Sequence, residues 1–160
     1  MKWVSKLNIY CLFCCCGGMS KGYYPNGLRK PWVLQDAYNA VQSVENYVKG
    51  FPTKVTFPNA RMALGFGKSA VLKCLEHLND KSYVTLIRGM IDRLDDAMDT
   101  YEISVEDIDV SNVMVLVRIM QDLVCVVASD LKFNIVKTIS SDCVPALIKR
   151  FDKMVKKTFI

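Results

Sequence analysis

An almost continuously apolar stretch from Val110 to Ala128 constrains the fold more than any other feature of the sequence. Four polar residues of this region fall close to one helical line, which leaves most of the rest of a helix hydrophobic. These residues are Asn112, Arg118, Asp122 and, just beyond the stretch, Ser129. A membrane-spanning helix would place Arg118 and Asp122 near mid-bilayer at a high cost in free energy. The stretch therefore predicts a core helix, with a buried strand as the alternative that its many valines allow.

Two amphipathic segments predict helices that pack against this core. The first runs from Val33 to Lys49 and is followed by Gly50, a residue typical of helix ends. The second runs from Tyr83 to Tyr101 and follows Ser82, which is expected to cap it. The apolar stripe of the second segment is expected to face the core. Its opposite face carries carboxylates that we expect to point into water: Asp92, Asp95, Asp96 and Asp99.

The patterns between these segments are less regular. Residues 51–58 are bounded by two X-Pro steps and predict an extended connector or a short strand. Asn59 is expected to cap a short helical turn, which the Gly-Phe-Gly sequence at 65–67 interrupts. A helix over residues 69–78 is then expected, and after the apolar stretch a further helical segment over residues 131–139.

The last segment predicts a basic amphipathic helix that opens near Pro145, with Ser141 or Asp142 before it. Its apolar side holds Leu147, Ile148, Phe151, Met154 and Val155. The cations around the other side form a candidate anion-binding face: Lys149, Arg150, Lys153, Lys156 and Lys157. Such a face binds acidic lipid or phosphate backbones, with Phe151 and Phe159 as possible stacking groups, but a core helix with solvated lysines has the same pattern.

Taken together, the patterns predict an all-α fold, a compact bundle of about five to seven helices around a central apolar helix. A cysteine-rich segment precedes the bundle. We expect this apolar, membrane-interacting segment at residues 1–18, a linker rich in Gly and Pro at 19–31, and a helical interaction domain at 32–160.

The first eighteen residues combine a basic start, an apolar run and a glycine pair at the end. The run is only about half the length that a bilayer-spanning helix needs. We predict instead that it lies on a membrane and is acylated through thioesters on a cysteine cluster, Cys11, Cys14, Cys15 and Cys16. Headgroup contacts are expected from Lys2, Trp3, Lys6 and Tyr10. A cleaved secretory signal peptide is the alternative.

The remaining cysteines occur singly within helical patterns and are predicted to be small buried apolar groups: Cys74, Cys125 and Cys143. Because this usage does not suit a disulfide scaffold, it favours a reducing compartment. Cys11-x-x-Cys14 and Cys74-x-x-His77 have the residue types and spacing of a zinc site. However, Cys74 shares an apolar stripe, so we expect no bound metal.

The sequence offers little material for catalysis. Residues 64–69 end in Gly-Lys-Ser like a phosphate-binding loop, but Met62 stands where that loop needs its leading glycine. The aspartates of the 83–101 segment follow helical rather than calcium-loop spacing. A single histidine leaves few partners for acid–base or nucleophilic chemistry. We therefore predict a non-enzymatic protein without a cofactor.

Charge distribution indicates the kind of partner. The formal net charge is +5, and basic ends flank an acidic middle. We predict a peripheral scaffold, matrix-like or accessory protein on the cytoplasmic face of a membrane, bound to anionic lipid and to a protein partner. Two alternatives are a secreted helical factor and a cytosolic helical assembly or nucleic-acid-binding protein. Nucleic acid is less favoured because no recognised module is present, and the sequence predicts no oligomeric state.

Overall fold

The computed structural model describes residues 32–104, 106–133 and 137–160. Within these ranges the chain forms five α-helices, one short 3₁₀ helix and one small antiparallel sheet, which confirms the predicted all-α class. The helices are α1 (Trp32–Lys49), α2 (Phe57–Leu75), α3 (Lys81–Tyr101), α4 (Val110–Asp130) and α5 (Val144–Phe159). The predictions for residues 1–31 lie outside the described part of the chain.

The sheet fastens the connector after α1 to the start of α4. Strand β1 (Lys54–Val55) pairs antiparallel with β2 (Ile108–Asp109), with Val55 opposite Ile108. Both of those side chains are buried, and Lys54 Nζ lies 2.8 Å from Asp109 Oδ1. The prediction of a connector with a short strand is thus confirmed, although residues 57 and 58 already belong to α2.

Helix α2 is continuous from Phe57 to Leu75, so the predicted break at residues 65–67 is wrong, as is the predicted helix end at Leu78. Thr56, not Asn59, precedes the first turn, where the missing N–H of a proline costs no hydrogen bond. Gly67 allows close packing instead of a break, because a Cβ built on it would lie only 2.6 Å from Met120 Sδ on α4.

Helix α4 contacts α1, α2 and α5, and residues from most of its circumference are buried. Its length and composition alone would also suit a membrane span, but 72% of its most apolar 18-residue stretch is buried within the domain. The strand alternative for this stretch is wrong. Two polar residues of α4 face α1: Arg118 Nε donates to Glu45 Oε2 at 3.2 Å, and Gln121 Nε2 donates to Gln42 Oε1 at 2.9 Å.

The end of α4 carries none of the usual glycine or proline signals. Lys132 adopts a left-handed φ of 60°, and Phe133 N donates to Ala128 O at 2.9 Å, which closes the helix as a glycine would. Residues 131–133 and 137–140 are not helical, so within the described residues the expected helix over 131–139 is wrong.

Side-chain caps set the starts of α3 and of the 3₁₀ helix. Asp80 caps α3 by accepting hydrogen bonds from Ser82 N at 2.9 Å and Ser82 Oγ at 2.6 Å, so the prediction of Ser82 as the cap is wrong. These hydrogen bonds lower the pKa of the Asp80 carboxyl. Ser140, not the predicted Ser141 or Asp142, caps the 3₁₀ helix Ser141–Cys143, and Pro145 stands in the first turn of α5 as predicted.

Candidate functional site

The candidate anion-binding face of α5 is exposed as the sequence predicted. Its five cations are Lys149, Arg150, Lys153, Lys156 and Lys157, and all are solvent-exposed. With about 100° of rotation per residue, they share an arc of about 120° around the helix. No ion pair to any of them forms within residues 32–104, 106–133 and 137–160. We call this surface the basic face.

An exposed apolar residue extends the basic face. Ile160 is 83% exposed and follows α5 directly. If the helical rotation continued for one residue, Ile160 would fall within the arc of the cations. The basic face therefore combines cations with an apolar group at one end, an arrangement typical of surfaces that meet lipid headgroups.

The opposite side of α5 fixes the orientation of the basic face. Phe151 is fully buried, and Phe159 packs against Phe57 and Tyr101 with ring centroids 6.2 and 5.5 Å apart. Asp152 accepts hydrogen bonds from Arg93 of α3, at 3.2 Å from Nε and 3.0 Å from Nη2. Because Phe151 and Phe159 are buried, the stacking contact that the sequence allowed is not available at this surface.

The four aspartates of α3 do not all point into water, which corrects the prediction. Asp95 accepts two hydrogen bonds of 2.7 Å from Lys68 Nζ, and Asp99 forms an ion pair with Arg61, so both join α3 to α2. The remaining two, at positions 92 and 96, are exposed as expected. Lys68 lies within α2, where no loop is available to hold phosphates.

A groove of about 770 Å³ lies between the start of α2 and the segment that follows α3. Its lining residues are Thr56, Phe57, Pro58, Arg61, Met62, Glu102, Ser104, Glu106 and Asp107. We call it the acidic groove because three of these side chains are carboxylates and one is a cation. Sequence reasoning missed it, since its two sides lie far apart in the chain.

The one cation that lines the acidic groove is already paired with carboxylates. Arg61 forms an ion pair with Asp99, its Nη1 lies 3.3 Å from Glu102 Oε1, and its Cζ lies 5.8 Å above the Phe57 ring. The approach to Glu102 lacks hydrogen-bond geometry, so Nη1 is buried without a hydrogen bond. The nearby carboxylates raise the pKa of Arg61, so it stays charged and offers little attraction to an added anion.

The cysteines differ in burial. Cys74 and Cys125 are buried as predicted, whereas Cys143, the last residue of the 3₁₀ helix, is exposed, which corrects the prediction for that residue. Cys74 Sγ donates to Val71 O at 3.4 Å, and burial raises the pKa of its thiol to about 12. Burial also raises the pKa of Cys125. Such thiols are protonated at neutral pH and are poor metal ligands.

No group of residues suited to a metal ion occurs within the described ranges. His77 lies in the turn after α2, with Nε2 3.9 Å from Glu76 Oε2. The other half of the weighed zinc motif, at Cys11 and Cys14, lies outside the described residues. So do the remaining lipidation and membrane-binding candidates, Cys15, Cys16, Lys2, Trp3, Lys6 and Tyr10.

Fold and surface together define a small helical domain that carries one basic face and one acidic groove. No family model matches the chain, and no curated protein or solved structure shows significant similarity to it.

Proposed function

We propose that this protein is a non-enzymatic peripheral membrane protein, a scaffold or accessory protein whose helical domain binds anionic lipid. The observation that carries the proposal is the basic face of α5, with five exposed cations in one arc and no intramolecular ion pair in the described part of the chain. We interpret α4 as the central helix of the bundle and α5 as its membrane-facing helix. We expect the domain to bind the cytoplasmic leaflet of a membrane, where anionic lipid concentrates.

Lipid is a better ligand for this face than nucleic acid. Proteins that bind single strands stack bases on exposed aromatic rings, but the two aromatic rings of α5, Phe151 and Phe159, are buried in the domain. The exposed apolar residue at the end of the face, Ile160, instead suits the boundary between headgroups and acyl chains.

The basic face alone would bind weakly and reversibly. Each lysine or arginine near an anionic surface contributes about 1 kcal/mol, and stable attachment usually needs a second signal. The proposed second signal is acylation of the cluster Cys11, Cys14, Cys15 and Cys16, together with insertion of Trp3. Lys2 and Lys6 would add headgroup contacts, and Tyr10 would lie at the same depth.

Vesicle sedimentation of the full chain tests the role of the basic face. We expect binding to vesicles of phosphatidylcholine and phosphatidylserine, and little binding to phosphatidylcholine alone. Lys153→Glu with Lys157→Glu should weaken vesicle binding by about tenfold or more. The matched control replaces two exposed cations elsewhere, Lys73→Glu with Arg88→Glu, and should keep most of the binding. Equal losses in both pairs would show a general charge effect and contradict the proposal.

Intact mass measurement with membrane fractionation tests the second signal. Mass increments of palmitate, and membrane attachment that hydroxylamine releases, are expected for the full chain. Loss of about eighteen residues would instead support the secreted alternative. An unmodified chain that stays in the soluble fraction would favour a cytosolic assembly protein.

A further inference from the structure

The acidic groove is a second surface that the proposed lipid contact does not use. Its floor is apolar, formed by Phe57 and Pro58 at the start of α2 and by Met62 one turn further on. Met62 is 47% exposed, and Ile103, between the lining residues Glu102 and Ser104, is 88% exposed. Such exposed apolar side chains beside a concavity are typical of protein contact sites, and methionine adapts its shape to different partners.

The carboxylates at the edge of the groove determine which partner fits. Glu106 and Asp107 are exposed, and neither forms an ion pair with any residue of the described ranges. Glu102 faces Arg61, whose charge is already shared with Asp99. The groove therefore has an apolar floor and a net negative edge, and a cationic ligand is favoured there.

Hydrogen bonds hold the acidic edge in place. Tyr101 Oη donates to Glu106 O at 3.0 Å, and Glu106 N donates to Ser104 Oγ at 3.1 Å. Tyr101 itself packs against Phe57 and Phe159, with ring centroids 5.1 and 5.5 Å apart. The backbone at Glu106 is thus attached to the aromatic contacts between α2, α3 and α5.

We propose that the acidic groove binds a basic segment of a partner protein, with an apolar side chain of that segment on Met62 and its lysines or arginines beside Glu106 and Asp107. A groove of about 770 Å³ is large enough for several side chains of an extended segment. The binding is electrostatic at the edge and apolar at the floor. This inference does not depend on lipid binding by α5.

Fluorescence anisotropy of the full chain without lipid tests the inference. The probe is a short labelled peptide with a central leucine between pairs of lysines. Binding should weaken with added salt, and it should be lost when glutamate replaces the lysines or serine replaces the leucine. Failure of the lysine–leucine peptide to bind at millimolar concentration, or equal binding of all three peptides, would overturn the proposal.

Two pairs of protein variants locate the binding. Glu106→Lys with Asp107→Lys should weaken peptide binding by about tenfold, whereas the control Glu76→Lys with Asp92→Lys, elsewhere on the surface, should not. Met62→Gln should also weaken it by about fivefold, in contrast to Leu86→Gln, which changes an equally exposed apolar residue. Equal losses in a variant and its control would overturn the proposal.

Two further measurements separate the alternatives. The circular dichroism spectrum and the midpoint of thermal unfolding of the groove variants should match those of the unchanged protein, which shows that the variants fold and does not rely on lipid binding. Sedimentation velocity should give the same mass for the unchanged protein and for the Glu106→Lys, Asp107→Lys variant. A dimer that only this variant disrupts would identify a second copy as the occupant of the groove and overturn the partner assignment.

Discussion

Helix α2 meets two neighbours in two different ways. Towards α4 the contact is apolar and close, because Gly67 leaves room for Met120, which is fully buried. Towards α3 most of the contacts are ionic, from Lys68 to Asp95 and from Arg61 to Asp99 and Glu102, with an aromatic contact between Phe57 and Tyr101 at the start of α2. Side chains of the ionic contact keep part of their surface in water, with exposed fractions of 28% for Lys68 and 35% for Asp95.

The difference indicates where the stability of the domain resides. In an apolar contact at native packing density, each displaced or added methylene destabilises the folded protein. Partly exposed ion pairs gain little, because water and salt compete with the partner charge. We therefore expect substitutions on the α4 side of α2 to change the free energy of unfolding far more than substitutions of the ion-paired residues on the α3 side.

Gly67→Leu is expected to give the largest effect. Its Cβ would lie 2.6 Å from Met120 Sδ, and the rest of the side chain would overfill the contact with α4. Overfilling so close a contact should cost about 3 kcal/mol or more, and the gain in helix propensity offsets about 1 kcal/mol, so the net loss should be about 2 kcal/mol or more. Denaturant titration followed by circular dichroism measures it. A variant as stable as the unchanged protein would show that the contact between α2 and α4 is loose.

Alkaline pH should affect the apolar side of α2 through Cys74. Burial raises the pKa of this thiol from 9.0 to about 12 in the folded protein. The unfolded chain therefore releases the proton first, so the stabilising contribution is complete below pH 9 and is lost as the pH rises towards 12. Relative to Cys74→Ala, the unchanged protein should lose on the order of 2 kcal/mol more between pH 8 and about pH 10.5.

The comparison with Cys74→Ala isolates one group. Salt bridges raise the pKa values of Lys54 and Lys137, which also lowers stability at high pH, but they do so in both proteins. The measurement is therefore the difference between two curves of unfolding free energy against pH. Parallel curves would contradict the assignment of the alkaline loss to Cys74.

The apolar pattern of the sequence predicts much of the fold because each helix has to bury its own apolar side, and that side is visible in the local sequence. The periods around Val41, Leu94 and Phe151 identify α1, α3 and α5, and all three residues are buried. The local pattern fails where a neighbour decides the conformation. The glycines at 65 and 67 suggest a break in isolation, but α4 packs against the helix at Gly67 and the helix continues.

The two candidate surfaces also differ in how far the sequence predicts them. The basic face follows from residue spacing along one helix, so the sequence locates it. The acidic groove joins Met62 on α2 to Glu106 and Asp107 more than forty residues later, and no local pattern records that contact. For the same reason Asp95 and Asp99 were expected in water, although cations on α2 pair with them.

Gly65→Ala should have a smaller effect of the opposite sign and serves as a control for Gly67. A Cβ added to Gly65 meets no atom within 4 Å outside its own helical surroundings. Alanine then restricts the unfolded chain and favours the helix, which should stabilise the protein by about 0.5 to 1 kcal/mol. The midpoint of thermal unfolding should rise. A decrease would indicate that the face of α2 near Gly65 is more crowded than the structure shows.

The smallest expected effect is the coupling between Lys68 and Asp95. A double-mutant cycle with Lys68→Gln and Asp95→Asn should give about 0.5 to 1 kcal/mol, because water screens a pair that is about a third exposed. The coupling should decrease in high salt, unlike the effect of Gly67→Leu. The control cycle uses Lys73→Gln and Asp92→Asn, two exposed charges for which the described residues provide no ion-pair partner, and should give almost none. A coupling above about 3 kcal/mol would place the pair among buried ionic contacts, and α2 would then depend on α3 as strongly as on α4.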